Sequence, residues 1–250
     1  GDYTFVSGGI TFGSGEEYRV EFGNLPGPYV YSTVGSSGYS NTQFISESSC
    51  DVSMGIVDPA LYCQTDAKLV INCFADGPND GNQDVLISVP YNATPSGSEN
   101  NDLNLLAHES VAKDIGSTFG LAYQRESQTL FSSAYLKRFS GFGPEGPGAI
   151  YKIPDPFDGN LSGELFVDLN DLFGSDVAGA DPHDFVTKTG GGDVIDEDAF
   201  NLVGRIAFGD MDISTDGTEL YVVNLMDRSI YNIPLGSDPY NPIAPTNSSE

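Results

Sequence analysis

Apolar and polar residues alternate along this 250-residue chain in short runs cut by turn residues. Tyr3-Thr4-Phe5-Val6, Tyr18-Arg19-Val20-Glu21-Phe22 and Thr42-Gln43-Phe44-Ile45 are bounded by Gly8-Gly9, Gly13-Ser14-Gly15 and Leu25-Pro26-Gly27-Pro28. A period of two with this punctuation predicts strands. Up to about residue 65 the pattern is that of part of a small β-sandwich. A second region opens with Leu69-Val70-Ile71-Asn72-Cys73-Phe74 and, after a polar loop, Val85-Leu86-Ile87-Ser88-Val89. The loop from Asp76 to Asp84 is the expected domain junction. Residues 92–104 have no apolar period and predict an exposed loop, and Leu103 to Ile115 predict a short helix. The expected division is a partial β-sandwich over 1–66, a junction over 67–84 and a β-rich segment over 85–250.

An internal repeat organises that last segment. Phe119-Gly120 begins a unit that passes through Thr129-Leu130-Phe131 and Leu136-Lys137-Arg138 and closes with Ile150-Tyr151-Lys152-Ile153-Pro154. Phe208-Gly209 begins another, through Glu219-Leu220-Tyr221 and Met226-Asp227-Arg228 to Ile230-Tyr231-Asn232-Ile233-Pro234. Each unit predicts three antiparallel strands, and Ser214-Thr215-Asp216-Gly217 is a hairpin signal because Asp-Gly tolerates positive φ. The first unit carries an insertion, residues 139–148, and Glu164-Leu165-Phe166-Val167-Asp168 predicts an outer fourth strand. Two such units are less than the four blades a closed propeller requires. The fold class expected is therefore all-β, a partial β-sandwich followed by an incomplete β-propeller. The opening Gly1-Asp2-Tyr3 lacks a leader pattern, so either a signal was removed or the sequence starts mid-protein; the second is preferred, and the chain is expected to be a piece of a larger protein.

Thirty-six acidic and 10 basic residues give a formal charge of −26. Phosphate binding runs on clustered Lys and Arg, so nucleic acid is excluded as a partner, and anionic lipid is disfavoured. No run reaches the ~18 apolar residues of a membrane helix, so no membrane insertion is expected. Thirty glycines and 15 prolines, with 11% aromatics, fit a turn-rich packed β protein. Cys50, Cys63 and Cys73 suit an oxidising, extracellular compartment, with Cys63–Cys73 the expected disulfide and three reduced thiols the alternative.

Only two histidines, His108 and His183, limit acid–base and zinc chemistry. Asp181-Pro182-His183-Asp184 offers an imidazole beside carboxylates, but its local pattern is that of a solvated turn. No Gly-x-Ser-x-Gly elbow or phosphate-cradling loop occurs. Calcium fits the composition better, since hard cations take carboxylate and carbonyl oxygens. The expected site is the Asp76–Asp84 loop, with Asp76, Asn79, Asp80, Asn82 and Asp84 as ligands; an ordinary Asx-rich linker is the alternative. Asp193, Asp196, Glu197 and Asp198 form a second acidic cluster, expected to be a solvated loop. Asp210, Asp212 and Asp216 are expected as turn formers. Asn92, Asn160 and Asn247 stand in Asn-x-Ser/Thr sequences, acceptors only in a eukaryotic secretory route. Lys137-Arg138 is expected to anchor neighbouring carboxylates.

Several longer motifs carry a family resemblance: Gly120-Leu121-Ala122-Tyr123, Ala134-Tyr135-Leu136-Lys137-Arg138, Gly141-Phe142-Gly143-Pro144, Asp198-Ala199-Phe200-Asn201-Leu202-Val203-Gly204 and Leu220-Tyr221-Val222-Val223-Asn224-Leu225. They resemble a propeller segment of very large modular bacterial surface proteins, and residues 1–65 resemble the end of a B-type repeat like those of serine-aspartate-repeat adhesins. The resemblance implies a noncatalytic extracellular or cell-surface fragment, adhesive or scaffolding, whose partner is a surface protein, a glycan or copies of itself. Two rival expectations are a self-assembling subunit of an extracellular fibre or sheath, and a calcium-dependent propeller hydrolase.

Overall fold

Wherever the alternating runs are described, they are strands. The computed structural model describes residues 13–32, 41–47, 52–59, 67–93, 106–159, 161, 163–174, 176–187, 194–238 and 240–245. Two units divide the chain, Gly1–Ala67 and Lys68–Glu250. In the first, β1 (Tyr18–Glu21), β2 (Val30–Ser32), β3 (Thr42–Ile45) and β4 (Gly55–Val57) form two antiparallel pairs, β1 with β3 and β2 with β4. The expected strand at Tyr3–Val6 lies outside the described residues.

The second unit is built from three antiparallel meanders. The first meander holds β5 (Lys68–Asn72), β6 (Asp84–Pro90) and β7 (Ala107–Val111), followed by the single helical turn α1 (Ala112–Ile115). The helix expected over 103–115 is thus corrected. Of its described residues, Ala107–Val111 pair with β6, and only the last four coil. The boundary between units falls at Ala67, which leaves the Asp76–Asp84 loop inside the second unit.

The second meander is β8 (Thr118–Gln124), β9 (Thr129–Ala134), β10 (Ala149–Pro154) and β11 (Glu164–Asp168). The strand expected at Glu164–Asp168 is the outer one, paired with β10. The link that follows contains α2 (Leu169–Phe173), the two-residue strands β12 (Val186–Thr187) and β13 (Val194–Ile195), and α3 (Glu197–Phe200). The third meander is β14 (Phe208–Ile213), β15 (Glu219–Asn224) and β16 (Ser229–Pro234). The class is all-β and antiparallel. Among the described residues the strands close no ring, and the second unit's sheets stand as successive packed meanders, which corrects the expected propeller.

Strand pairing shifts the repeat by one residue in its first strand. Thr118 stands opposite Ala134 in the second meander, and Phe208 stands opposite Asn224 in the third. Leu121 opposite Ser132 corresponds in the same way to Met211 opposite Val222. The structural counterpart of Phe208 is therefore Thr118, and the two Phe-Gly pairs are one step out of register. Side chains alternate between faces, so one step changes the face. Phe208 is buried while Phe119 is exposed.

Two cores separate the three sheets. The first meander contributes Val85, Leu86 and Ile115 against Leu130, Leu136, Tyr151 and Ile153 of the second. The opposite face of the second meander, with Ala122, Phe131, Ile150 and Phe166, packs on Phe208, Met211, Leu220, Val222 and Ile233 of the third. Phe166 from the outer strand meets Phe131 edge-to-face, with centroids 4.9 Å apart.

Candidate functional site

Three polar segments interlock beside the first core: the Asp76–Asp84 loop, the insertion of residues 139–148 and the link between the second and third meanders. Gly77 bridges Ser140 in parallel, with Gly77 N–H donating to the Phe139 carbonyl at 2.8 Å and Gly141 N–H donating to the Gly77 carbonyl at 2.9 Å. Asn79 is buried and its Nδ2 donates to the Ser140 hydroxyl at 3.3 Å and to the Gly141 carbonyl. Ser117 N–H reaches the same Gly141 carbonyl at 2.9 Å, which ties the insertion back to β8.

The chemically distinctive pair of this region is His183 with Asp196. His183 Nδ1 lies 2.9 Å from Asp196 Oδ2, and the two side chains are 2% and 0% exposed. The same oxygen accepts the Phe139 N–H at 2.8 Å, while the backbone carbonyl of Asp196 accepts from Arg138 Nε at 2.9 Å. Phe139 holds φ 69°, a left-handed conformation that this hydrogen bond from a side chain to its N–H helps to fix. The imidazole stacks on Phe185 at 4.7 Å and meets the edge of Phe142 at 5.5 Å. Its Nε2 is buried and has no hydrogen-bond partner among the described residues.

An imidazole held by a carboxylate is half of a nucleophile-activating arrangement. Here, among the described residues, no hydroxyl or thiol bonds the free ring nitrogen, and two aromatic rings cover the imidazole. What the pair does in this geometry is bind the insertion to the link. The solvated turn expected at Asp181–Asp184 is therefore corrected: His183 N–H does close a turn on Asp181 Oδ1 at 2.9 Å, but the ring points inward. The solvated acidic loop is corrected too, because Asp196 is buried while Glu197 and Asp198 sit in α3 and Asp193 lies outside the described residues. A separation of 13 residues across two polar loops gave no periodic signal that these side chains would meet.

The five expected calcium ligands stand in different surroundings. Asn79 turns to the insertion, Asp84 Oδ2 pairs with His108 Nδ1 at 2.8 Å, and Asp76, Asp80 and Asn82 are exposed. Among the described residues no group of three or more His, Cys, Asp or Glu side chains is arranged to hold a metal ion. Cys73 is half-buried; burial, with the Asp84 charge adding, pushes its thiol pKa up. Its expected disulfide partner Cys63, like Cys50, lies outside the described residues.

The cationic pair behaves differently from expectation. Lys137 Nζ lies 5.2 Å from the Phe74 ring centre, and the Arg138 guanidinium stacks over Phe139 and Phe200 at 4.5 and 5.2 Å. Among the described residues, aromatic faces and a carbonyl anchor them. Asp216 is the turn former expected. Hydrogen bonds from the Ser214 hydroxyl at 2.6 Å and from the Thr218 hydroxyl and N–H hold its pKa below the usual range.

No family model matches the chain, and no solved structure matches it with significance. Among curated proteins it is similar to the colossins of Dictyostelium discoideum. It is 33% identical to Colossin-D over 190 residues, which is 74% of this chain and 19% of Colossin-D. Identity to Colossin-B is 27% over 227 residues, covering 89% of this chain and 5% of that protein. Identity to Colossin-A is 31% over 185 residues, covering 71% of this chain and 2% of that protein. The chain thus spans a small part of much longer relatives. These relatives overturn the attribution to bacterial serine-aspartate-repeat adhesins, since the similarity runs to a eukaryotic group. Asn92, one of the three Asn-x-Ser/Thr asparagines, is exposed in the turn after β6; Asn160 and Asn247 lie outside the described residues.

Proposed function

We propose that the chain is a noncatalytic extracellular module that serves as a scaffold, with an adhesive surface, inside a longer polypeptide. The carrying observation is the His183–Asp196 pair: the arrangement nearest to catalytic machinery is sealed, and its hydrogen bonds hold together two loops. Acid–base catalysis needs the acting nitrogen within reach of a substrate proton, and burial under Phe142 and Phe185 opposes that reach. The charge of −26 supports an extracellular, extended and soluble setting, because self-repulsion keeps such chains apart in solution. Its cysteines fit an oxidising compartment.

The test is a turnover screen against esters, lactones and glycans, with and without calcium. The expected result is no rate above buffer for any class. Turnover that disappears in His183→Asn, with the fold retained, would replace this reading by a hydrolase.

A further inference from the structure

The meanders repeat in packing as well as in sequence, and the repetition leaves two faces open. In the second meander, Leu130 and Ile153 face the first meander, while Phe131 and Ile150 face the third. Their counterparts in the third meander are Leu220 and Ile233, which face the second, and Tyr221 and Ile230 on the opposite face. The contrast within each pair is large. Ile150 is 0% exposed and Ile230 is 70% exposed; Phe131 is 0% exposed and Tyr221 is 39% exposed. Val223 stands opposite Ile230 across the strand pair and shares this open face.

The first meander has the complementary opening. Val70 and Leu86 turn toward the first core, so alternation puts Leu69 and Ile71 on the other side of β5, and both are exposed. Leu69 pairs with Val89 and Ile71 with Ile87, which makes a four-residue apolar patch. In the order of packing this is the side that looks back, the same side that Leu130 and Ile153 present in the second meander. It is the kind of face that the Tyr221–Ile230 side would meet if the stacking continued one more step.

We propose that copies of this chain stack head to tail, the Leu69–Ile71–Ile87–Val89 face of one covering the Tyr221–Val223–Ile230 face of the next. The contact is heterologous, so it propagates into a ring or a filament rather than stopping at a symmetric dimer. It extends the step already made between the second and third meanders. A formal charge of −26 on each copy opposes the contact, and screening over ~8 Å at physiological ionic strength relieves that repulsion, so association strengthens with salt.

Sedimentation velocity over a concentration series at low and high salt tests this on the intact chain. The expected mass rises with concentration and with salt. Ile230→Asp and Ile71→Asp each weaken association by at least about tenfold, because each buries an unpaired carboxylate. Both positions are exposed in the single chain, so an unshifted melting temperature confirms folding; Tyr221→Asp and Leu69→Asp provide a second blocked pair. An equimolar mixture of Ile230→Asp and Ile71→Asp regains dimers and nothing larger, since each variant keeps one competent face. A monomer under all conditions overturns the proposal, as does association that both single variants leave intact or a mixture that stays monomeric. Turnover plays no part in this readout, so failure here leaves the noncatalytic reading standing, and the reverse.

Discussion

A methyl group on Gly120 would lie 2.4 Å from the carbonyl oxygen of Gly209, so the first strands of the second and third meanders touch backbone to backbone at this point. The Ser133 hydroxyl donates to the same carbonyl at 3.2 Å, which pins β9 to the contact. Gly120→Ala forces the two sheets apart along the core of Phe131, Ile150, Phe208 and Leu220. Overpacking of this kind costs about 1–3 kcal/mol, read as a lower urea midpoint. Stability equal to the parent would show that the sheets do not meet there.

Asp196 carries a second expected outcome. Its carboxylate accepts from His183 and from the Phe139 N–H in a fully buried place. Asp196→Ala leaves both donors without an acceptor and is expected to cost about 3 kcal/mol. Asp196→Asn keeps an oxygen for Phe139 N–H and should lose less. Urea unfolding of the two variants gives the order, and equal losses would contradict it.

Asp168 predicts a pH dependence. Its Oδ1 accepts the Asn170 N–H at 2.8 Å and caps α2. Burial raises its pKa, and the charges of Asp171 and Glu145 add to the rise. A carboxyl with a raised folded-state pKa contributes most below its unfolded pKa and loses that contribution as pH rises through the folded value. Asp168→Asn keeps the capping oxygen and removes the charge. Its melting temperature should exceed the parent's at neutral pH and match it once the parent's Asp168 carboxyl is protonated in acid.

Much of the scaffold was legible because strand pattern is local. Thr42–Ile45 is a strand over the residues its alternation marks, and the outer strand at Glu164–Asp168 falls where its apolar run stands. The repeat was legible as well, but its Phe-Gly landmark misled by one residue: the two first strands share the same register shift, after Thr118 and after Phe208, so Phe208 answers to buried Thr118 and Phe119 stands one position further, facing outward. The polar knot was not legible. Asn79 meets Ser140 across 61 residues and His183 meets Asp196 across 13, with no periodicity linking either pair. In the sequence their polar runs are indistinguishable from solvated loops, and only the packing of the insertion buries them.

Calcium removal separates two origins of order in the Asp76–Asp84 loop. Its backbone is fixed by Gly77 to the insertion, and by Gly81 and Gln83, whose carbonyls accept from Lys113 and Ala112 N–H at 2.9 Å each. If these protein groups alone hold the loop, chelator leaves the melting temperature unshifted. A fall of several degrees would assign a cation to this loop.

Whether the His183 imidazole is a sealed structural clamp is read from the rate at which diethyl pyrocarbonate modifies the two histidines of the native chain. His108 is exposed and serves as the internal reference. The expected result is rapid modification of His108, with His183 protected until denaturant unfolds the protein. Modification of His183 in the native state as fast as His108 would show a reachable imidazole and a site open to solvent.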